Sequence, residues 1–164
     1  MKKLAAVLKQ KLDGASGIAV LGIGSDLRGD DAAGIIVAQQ IEKIKLSPKI
    51  KILIGATAPE NLTGEIKKFK PSHLLIIDSA DTNAQPGQIS IIDPDKVGGT
   101  TFCTHCLPIK VMIDYLMQSL CDLKVITIGI QPKNIAVGFD VSKEVKKAAE
   151  ELAKTIVSLF KSLL

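Results

Sequence analysis

An α/β sandwich around a mostly parallel sheet with one antiparallel strand is the fold class this sequence predicts, and three observations carry the prediction. Short aliphatic runs alternate with segments of helical spacing along nearly all of the 164 residues, the pattern of a sheet covered by helices. Hydrophobic residues make up 46% of the chain but aromatic residues only 3%. The interior must therefore be built from Ile, Leu, Val and Ala, as in buried parallel strands. Finally, one pair of strand-like runs is joined by a loop too short for a helical crossover, so that pair is expected to be antiparallel. At this length a single domain spanning 1–164 is expected, one that buries roughly 70% of its unfolded surface.

The elements follow in order. Leu4, Val7, Leu8 and Leu12 give residues 4–12 a helical period, and "GASG" ends it. Residues 1–14 are thus an N-terminal helix placed before the first strand, "IAVLGIG" at 18–24. Residues 30–44, "DDAAGIIVAQQIEKI", form a helix with acids at its start and Ile35, Ile36, Ala38, Ile41 and Ile44 along it. "KIKILIG" at 49–55 is the second strand. "APENLTGEIKKFK" at 58–70 is a helix with Pro59 in its first turn and lysines in its last. "HLLIIDSAD" at 73–81 is the third strand, and "GQISIID" at 87–93, reached through Pro86-Gly87, is its antiparallel companion. Pro108 starts a helix over 108–120, and "KVITIGIQP" at 124–132 is the fifth strand. Val145, Ala149, Leu152, Ile156, Leu159 and Leu163 place one apolar face on a long helix over 141–164.

Composition narrows the function classes. The net charge of +4 comes from 20 lysines and one arginine against 17 acids. The lysines are scattered or lie on helix faces without interleaved aromatics, so no nucleic-acid surface is expected. No run reaches the ~18 apolar residues that a membrane span needs, and no membrane insertion is expected. "MKKLAAVLKQKLD" is basic and amphipathic and lacks the apolar centre of a secretory signal. Three cysteines cannot all pair with one another, and a reducing, cytoplasmic setting is the expectation.

In parallel sheets, sites form beyond the carboxyl ends of the strands. That rule selects the loop "GIGSDLRGDD", the aspartate that ends "LLIID", and the loop "TTFCTHCLP". Gly22-x-Gly24 suggests a dinucleotide fingerprint, but Leu27 stands where the third glycine belongs. Asp30 and Asp31 at the start of the next helix would also repel a phosphate and attract a cation. One of the two is expected to cap the helix and the other to face the cleft. Asp78 follows four apolar residues at the sheet edge, where burial disfavours its charge unless a positive group approaches. Asp81, deeper in the loop, is a solvated fallback. His105 is one of two histidines; the other, His73, begins a strand and reads as structural or exposed. Two carboxylates and an imidazole suit a borderline divalent ion such as Ni²⁺ or Zn²⁺. Cys103 and Cys106 form a C-x-x-C around His105. A structural zinc site would want four ligands and finds only three here, while the Trp and Gly-Pro surroundings of a redox pair are absent.

These segments resemble, in order, the blocks of the nickel-iron hydrogenase maturation endopeptidases. "GIGSDLRGDDAAG" is similar to the family's opening motif, and "GATAPEN", "LLIIDSAD", "PGQISIID", "THCLP" and "IGIQP" resemble later blocks, together covering most of 18–140. "APEN" and "IGIQP" look most like the branch that processes the hydrogenase 3-type large subunit. The resemblance implies a three-layer α/β/α sandwich around a five-stranded sheet. It implies an endopeptidase that removes a C-terminal extension from the large-subunit precursor after nickel insertion, with the substrate's nickel as its recognition element and no organic cofactor. Its metal ligands fall on Asp31, Asp78 and His105. Either aspartate is a candidate to activate the attacking water; the alternative is a carbonyl polarised by the metal. Thr104, in the "THxxP" motif, is an expected substrate-binding residue; Arg28, the sole arginine, is a substrate-binding candidate for its planar fork, with a solvated loop residue the stronger reading of it. Ser25 stands where the family often has Asn, and Cys103 where Thr is common. A non-catalytic nickel-binding or metallochaperone domain shares the same ligands, and a flavodoxin-like nucleotide-binding module is a further alternative.

Overall fold

The computed structural model describes residues 1–92 and 106–163. In chain order the elements are α1 (Lys2–Lys11), β1 (Ile18–Ile23), α2 (Ala33–Glu42), β2 (Ile50–Ala56), α3 (Thr63–Phe69), β3 (His73–Ser79), β4 (Ile89–Ile92), α4 (Cys106–Ser119), β5 (Lys124–Ile130) and α5 (Lys143–Leu163). Short 3-10 turns, Gly29–Ala32 and Pro59–Leu62, lead into α2 and α3. The expected helices over 30–44 and 58–70 each divide in this way. Ile44 falls beyond the end of α2 and is 40% exposed.

The strands form one five-stranded sheet in the order β2-β1-β3-β5-β4. β1, β2, β3 and β5 are parallel, and β4 runs antiparallel to β5. The antiparallel member is the expected one, but its neighbour is not. β4 pairs with β5 rather than β3, because β5 enters the sheet between them. Residues 80–88 step across the end of β5: Ala80 N–H donates to the Ile130 carbonyl, and Gly87 N–H to that of Gln131. Nine residues reach easily across the two strand spacings, about 10 Å, that separate β3 from β4.

Strand alternation sends side chains into two cores. Val20, Leu75, Ile77 and Ile128 pack under α1, α2 and α5, around Leu8, Val37, Leu152 and Phe160. Leu21, Leu74 and Ile76 pack on the other face under α3 and α4, around Ile66, Met112 and Leu116. The molecule is therefore a three-layer α/β/α sandwich. β1 and β3 are buried along their whole length, which explains their unbroken aliphatic runs. The N-terminal helix is a packing element: Leu8 and Leu12 are 0% and 1% exposed and join the α5 side of the core. No helix among the described residues is long and apolar enough to cross a membrane.

Candidate active site

The carboxyl ends of β1 and β3 are brought under the first turn of α2 by glycines. Gly24 has φ +136°, and a Cβ there would strike the Asp31 carbonyl oxygen. A Cβ on Gly22 would lie 2.7 Å from that of Ala38. Gly34 fits against the carbonyl oxygens of Ile23 and Ile77, both of which a Cβ would strike. The Gly22-x-Gly24 pair thus serves close backbone approach. It lays the 3-10 turn, with Asp30 and Asp31, over the ends of the strands.

Both acids are buried, at 0% and 1% exposure, and neither caps its own helix. No side chain makes a capping hydrogen bond at the start of the turn or of α2. This corrects the capping role expected from the sequence, and the cause is local. The two acids lie inside the 3-10 turn rather than ahead of it, and the Asp30 carboxylate points at the chain between β5 and α5. Its Oδ2 accepts from the backbone N–H groups of Lys133 (2.7 Å) and Asn134 (3.0 Å). At the threshold of α5, Ser142 N–H donates to Oδ1 (2.6 Å) and its hydroxyl to Oδ2 (3.0 Å). Four donors on a buried carboxylate compensate its desolvation. Asp30 N–H donates to the Asn134 carbonyl (2.9 Å), and Arg28 Nε to that of Ile135 (3.3 Å). The loops after β1 and β5 are locked together.

Asp31 and Asp81 line a cleft of about 200 Å³ with Ser79, Gln131, Lys133, Asn134 and Ile135. Asp78, 3% exposed, is the penultimate residue of β3. Its Oδ1 accepts the Ser79 N–H at 2.8 Å, while its buried Oδ2 has no hydrogen-bond partner among the described residues. Burial pushes the Asp78 carboxyl up to about 7; the Ser79 N–H opposes the shift and the Asp31 carboxylate adds to it. At neutral pH the site therefore holds an acid poised between its two forms beside a second buried acid. Such a pair repels itself when ionised and is relieved by an incoming cation.

Asp81 has another use. Its Oδ1 accepts from Asn83 N–H (3.0 Å) and Gln131 Nε2 (3.1 Å), and these bonds hold its carboxyl below the ordinary range. It shapes the loop and lines the cleft beside Asp31. Gln131, which sequence reasoning did not single out, organises this loop. Its Oε1 accepts from Thr82 N–H (2.7 Å), the Thr82 hydroxyl (3.2 Å) and Ala84 N–H (3.2 Å). Its signal was a glutamine ending the aliphatic run "VITIGIQ" at the edge where sites form.

Cys103, Thr104 and His105 lie outside the described residues. Among the described residues no three His, Cys, Asp or Glu side chains are placed to hold a metal ion; Asp31 and Asp78 are the expected ligands that the structure brings to one edge. His73 is at the opposite end of the sheet, paired in register with Ile18 and Lys124. It is buried, as its structural reading expects, and its Nδ1 shares a hydrogen bond with the Ser72 hydroxyl at 2.9 Å.

Residues 35–159 match the family model described as HycI, hydrogenase maturation protease. A Methanocaldococcus jannaschii protein named provisionally as a hydrogenase maturation protease is 35% identical over 96% of both chains. The hydrogenase 3 maturation protease of Escherichia coli is 35% identical over 80% of this chain and 83% of that one. Among solved structures, the NiFe hydrogenase maturation protease HycI of Thermococcus kodakarensis superposes with a TM-score of 0.87 at 32% identity, covering 94% of this chain and 99% of that one.

Proposed function

Since this chain belongs to the hydrogenase maturation protease family, we propose that it is the endopeptidase that removes the C-terminal extension of a nickel-iron hydrogenase large-subunit precursor once nickel is in place. The observation that supports this reading is the pair of buried acids, Asp31 and Asp78, with one Asp78 oxygen unsatisfied among the described residues. An acid left so at a strand end destabilises the fold unless a ligand repays the cost.

In this reading Asp31, Asp78 and His105 complete the coordination of a nickel ion already held by the precursor. The nickel is part of the substrate. Docking ionises Asp78, whose raised pKa keeps it partly protonated beforehand. The contact exists only in the loaded precursor, so nickel insertion gates cleavage by positioning the scissile bond. Hydrolysis then takes a water activated by one of the two carboxylates, or a peptide carbonyl polarised by the nickel. Arg28, oriented by its bond to the Ile135 carbonyl, stands beside the cleft to hold substrate backbone or carboxylate, and Thr104 takes the same role. The cytoplasm is the proposed compartment.

Mass spectrometry of nickel-loaded precursor incubated with the protein tests the reading. One new C-terminus, lost in Asp31→Asn and Asp78→Asn, is the expected result. Stoichiometric nickel uptake from solution with the precursor left intact would contradict it in favour of a metallochaperone.

A further inference from the structure

Three large apolar side chains are left mostly exposed on the two loops that flank the cleft. Leu27 is 70% exposed, Val137 71% and Phe139 58%. They sit on the two loops that Asp30 locks together. Gly138 N–H, between Val137 and Phe139, donates to the Leu27 carbonyl at 3.0 Å. A Cβ on Gly29 would lie 3.6 Å from that of Phe139 and 2.6 Å from the Asn134 carbonyl oxygen. Lys133, Asn134 and Ile135, in the same loop as Val137 and Phe139, line the cleft together with Asp31. The stretch 133–139 runs from the lining of the candidate active site to Val137 and Phe139.

The loops are held firmly for segments so exposed. The Asp30 carboxylate accepts four bonds from 133–142. Arg28 Nε bonds the Ile135 carbonyl, and Asn134 Oδ1 accepts from Ala136 N–H at 2.9 Å. A buried carboxylate thus holds in place the backbone that carries three mostly exposed apolar side chains. Fixed apolar groups at the mouth of a site lower the ordering cost of binding and mark a recognition surface.

Resting on the function proposed above, we infer that Leu27, Val137 and Phe139 form a docking platform for an apolar segment of the precursor next to its scissile bond. Nickel then supplies the gate, and the platform supplies affinity and register. Continuity with the cleft selects the substrate chain as occupant over a second copy of this protein.

The test is steady-state cleavage of nickel-loaded precursor by wild type and by the Leu27→Ser, Val137→Ser and Phe139→Ser variants, singly and together. The platform predicts a KM raised about three- to tenfold by each, more by the triple variant, with kcat changed less than twofold. Phe139→Leu, which keeps an apolar group, should recover most of the loss. Val111→Ser, at a 62% exposed position on α4, should leave KM unchanged. A triple variant that folds, by its circular dichroism and Tm, with KM within twofold of wild type overturns the platform. So does a triple variant whose only change is loss of self-association by sedimentation, which makes the patch an interface between copies. Failure of the wild type to cleave loaded precursor overturns instead the function on which the platform rests.

Discussion

Asp78 sets the pH behaviour of the site. Its carboxyl is raised to about 7 in the folded chain, chiefly by burial, against about 3.9 when unfolded. The folded state therefore binds the extra proton between those values. The stabilisation from a neutral Asp78 is complete below pH ~4 and is lost as pH rises through about 7. Asp78→Asn, which stays neutral, should exceed wild type in stability by on the order of 2–4 kcal/mol at pH 8 and match it near pH 4, by urea unfolding at each pH. Equal pH profiles for the two proteins would contradict the assignment. Proton competition also requires that cleavage at limiting precursor fall about tenfold per unit below pH 6. Asp30 should behave differently. Asp30→Ala strands the N–H groups of Lys133, Asn134 and Ser142 and should cost about 3–5 kcal/mol, read by the same unfolding. The sequence could place both acids at a helix start but could not divide their roles. That division depends on which way a 3-10 turn points each carboxylate, and on donors more than a hundred residues away along the chain.

Among the elements, α2 carries the site and the N-terminal helix carries stability. Gly34→Ala would drive a methyl into the Ile23 and Ile77 carbonyls. The turn bearing Asp31 must then shift, at a cost of about 2–3 kcal/mol and with loss of cleavage in the fraction that folds. Gly64→Ala in α3 is the opposite case: a Cβ there meets nothing within 4 Å, and the change should stabilise by about 0.5–1 kcal/mol. Thermal melts of the two variants check both signs. Leu8→Ala should cost about 2–4 kcal/mol, since Leu8 is fully buried on the α5 side of the core. Element identities were legible because period and aliphatic runs report burial directly. On α5, Phe160 fills the core while Leu159 and Leu163 are only partly buried; the period marks a stripe, and packing chooses its centre. The neighbour of β4 was not legible, because a short loop reveals strand direction but not that β5, later in the chain, enters between.

For the whole molecule, the sheet collects at one edge residues that the chain holds far apart. Asp31 follows β1, Asp78 lies one residue before the end of β3 and Gln131 follows β5; the strand-end rule found the first two because it depends only on topology. Gln131 escaped it because a neutral amide gives no charge signal, and the Leu27, Val137 and Phe139 rim because isolated apolar loop residues look unremarkable until the loops meet. Everything proposed for the site turns on the nickel gate. The direct measurement is the cleavage rate of one precursor preparation divided into nickel-loaded and nickel-free halves, at equal protein and neutral pH. The account predicts processing of the loaded half and an intact nickel-free half, with cleavage restored when nickel is inserted. Equal rates for the two halves would contradict it.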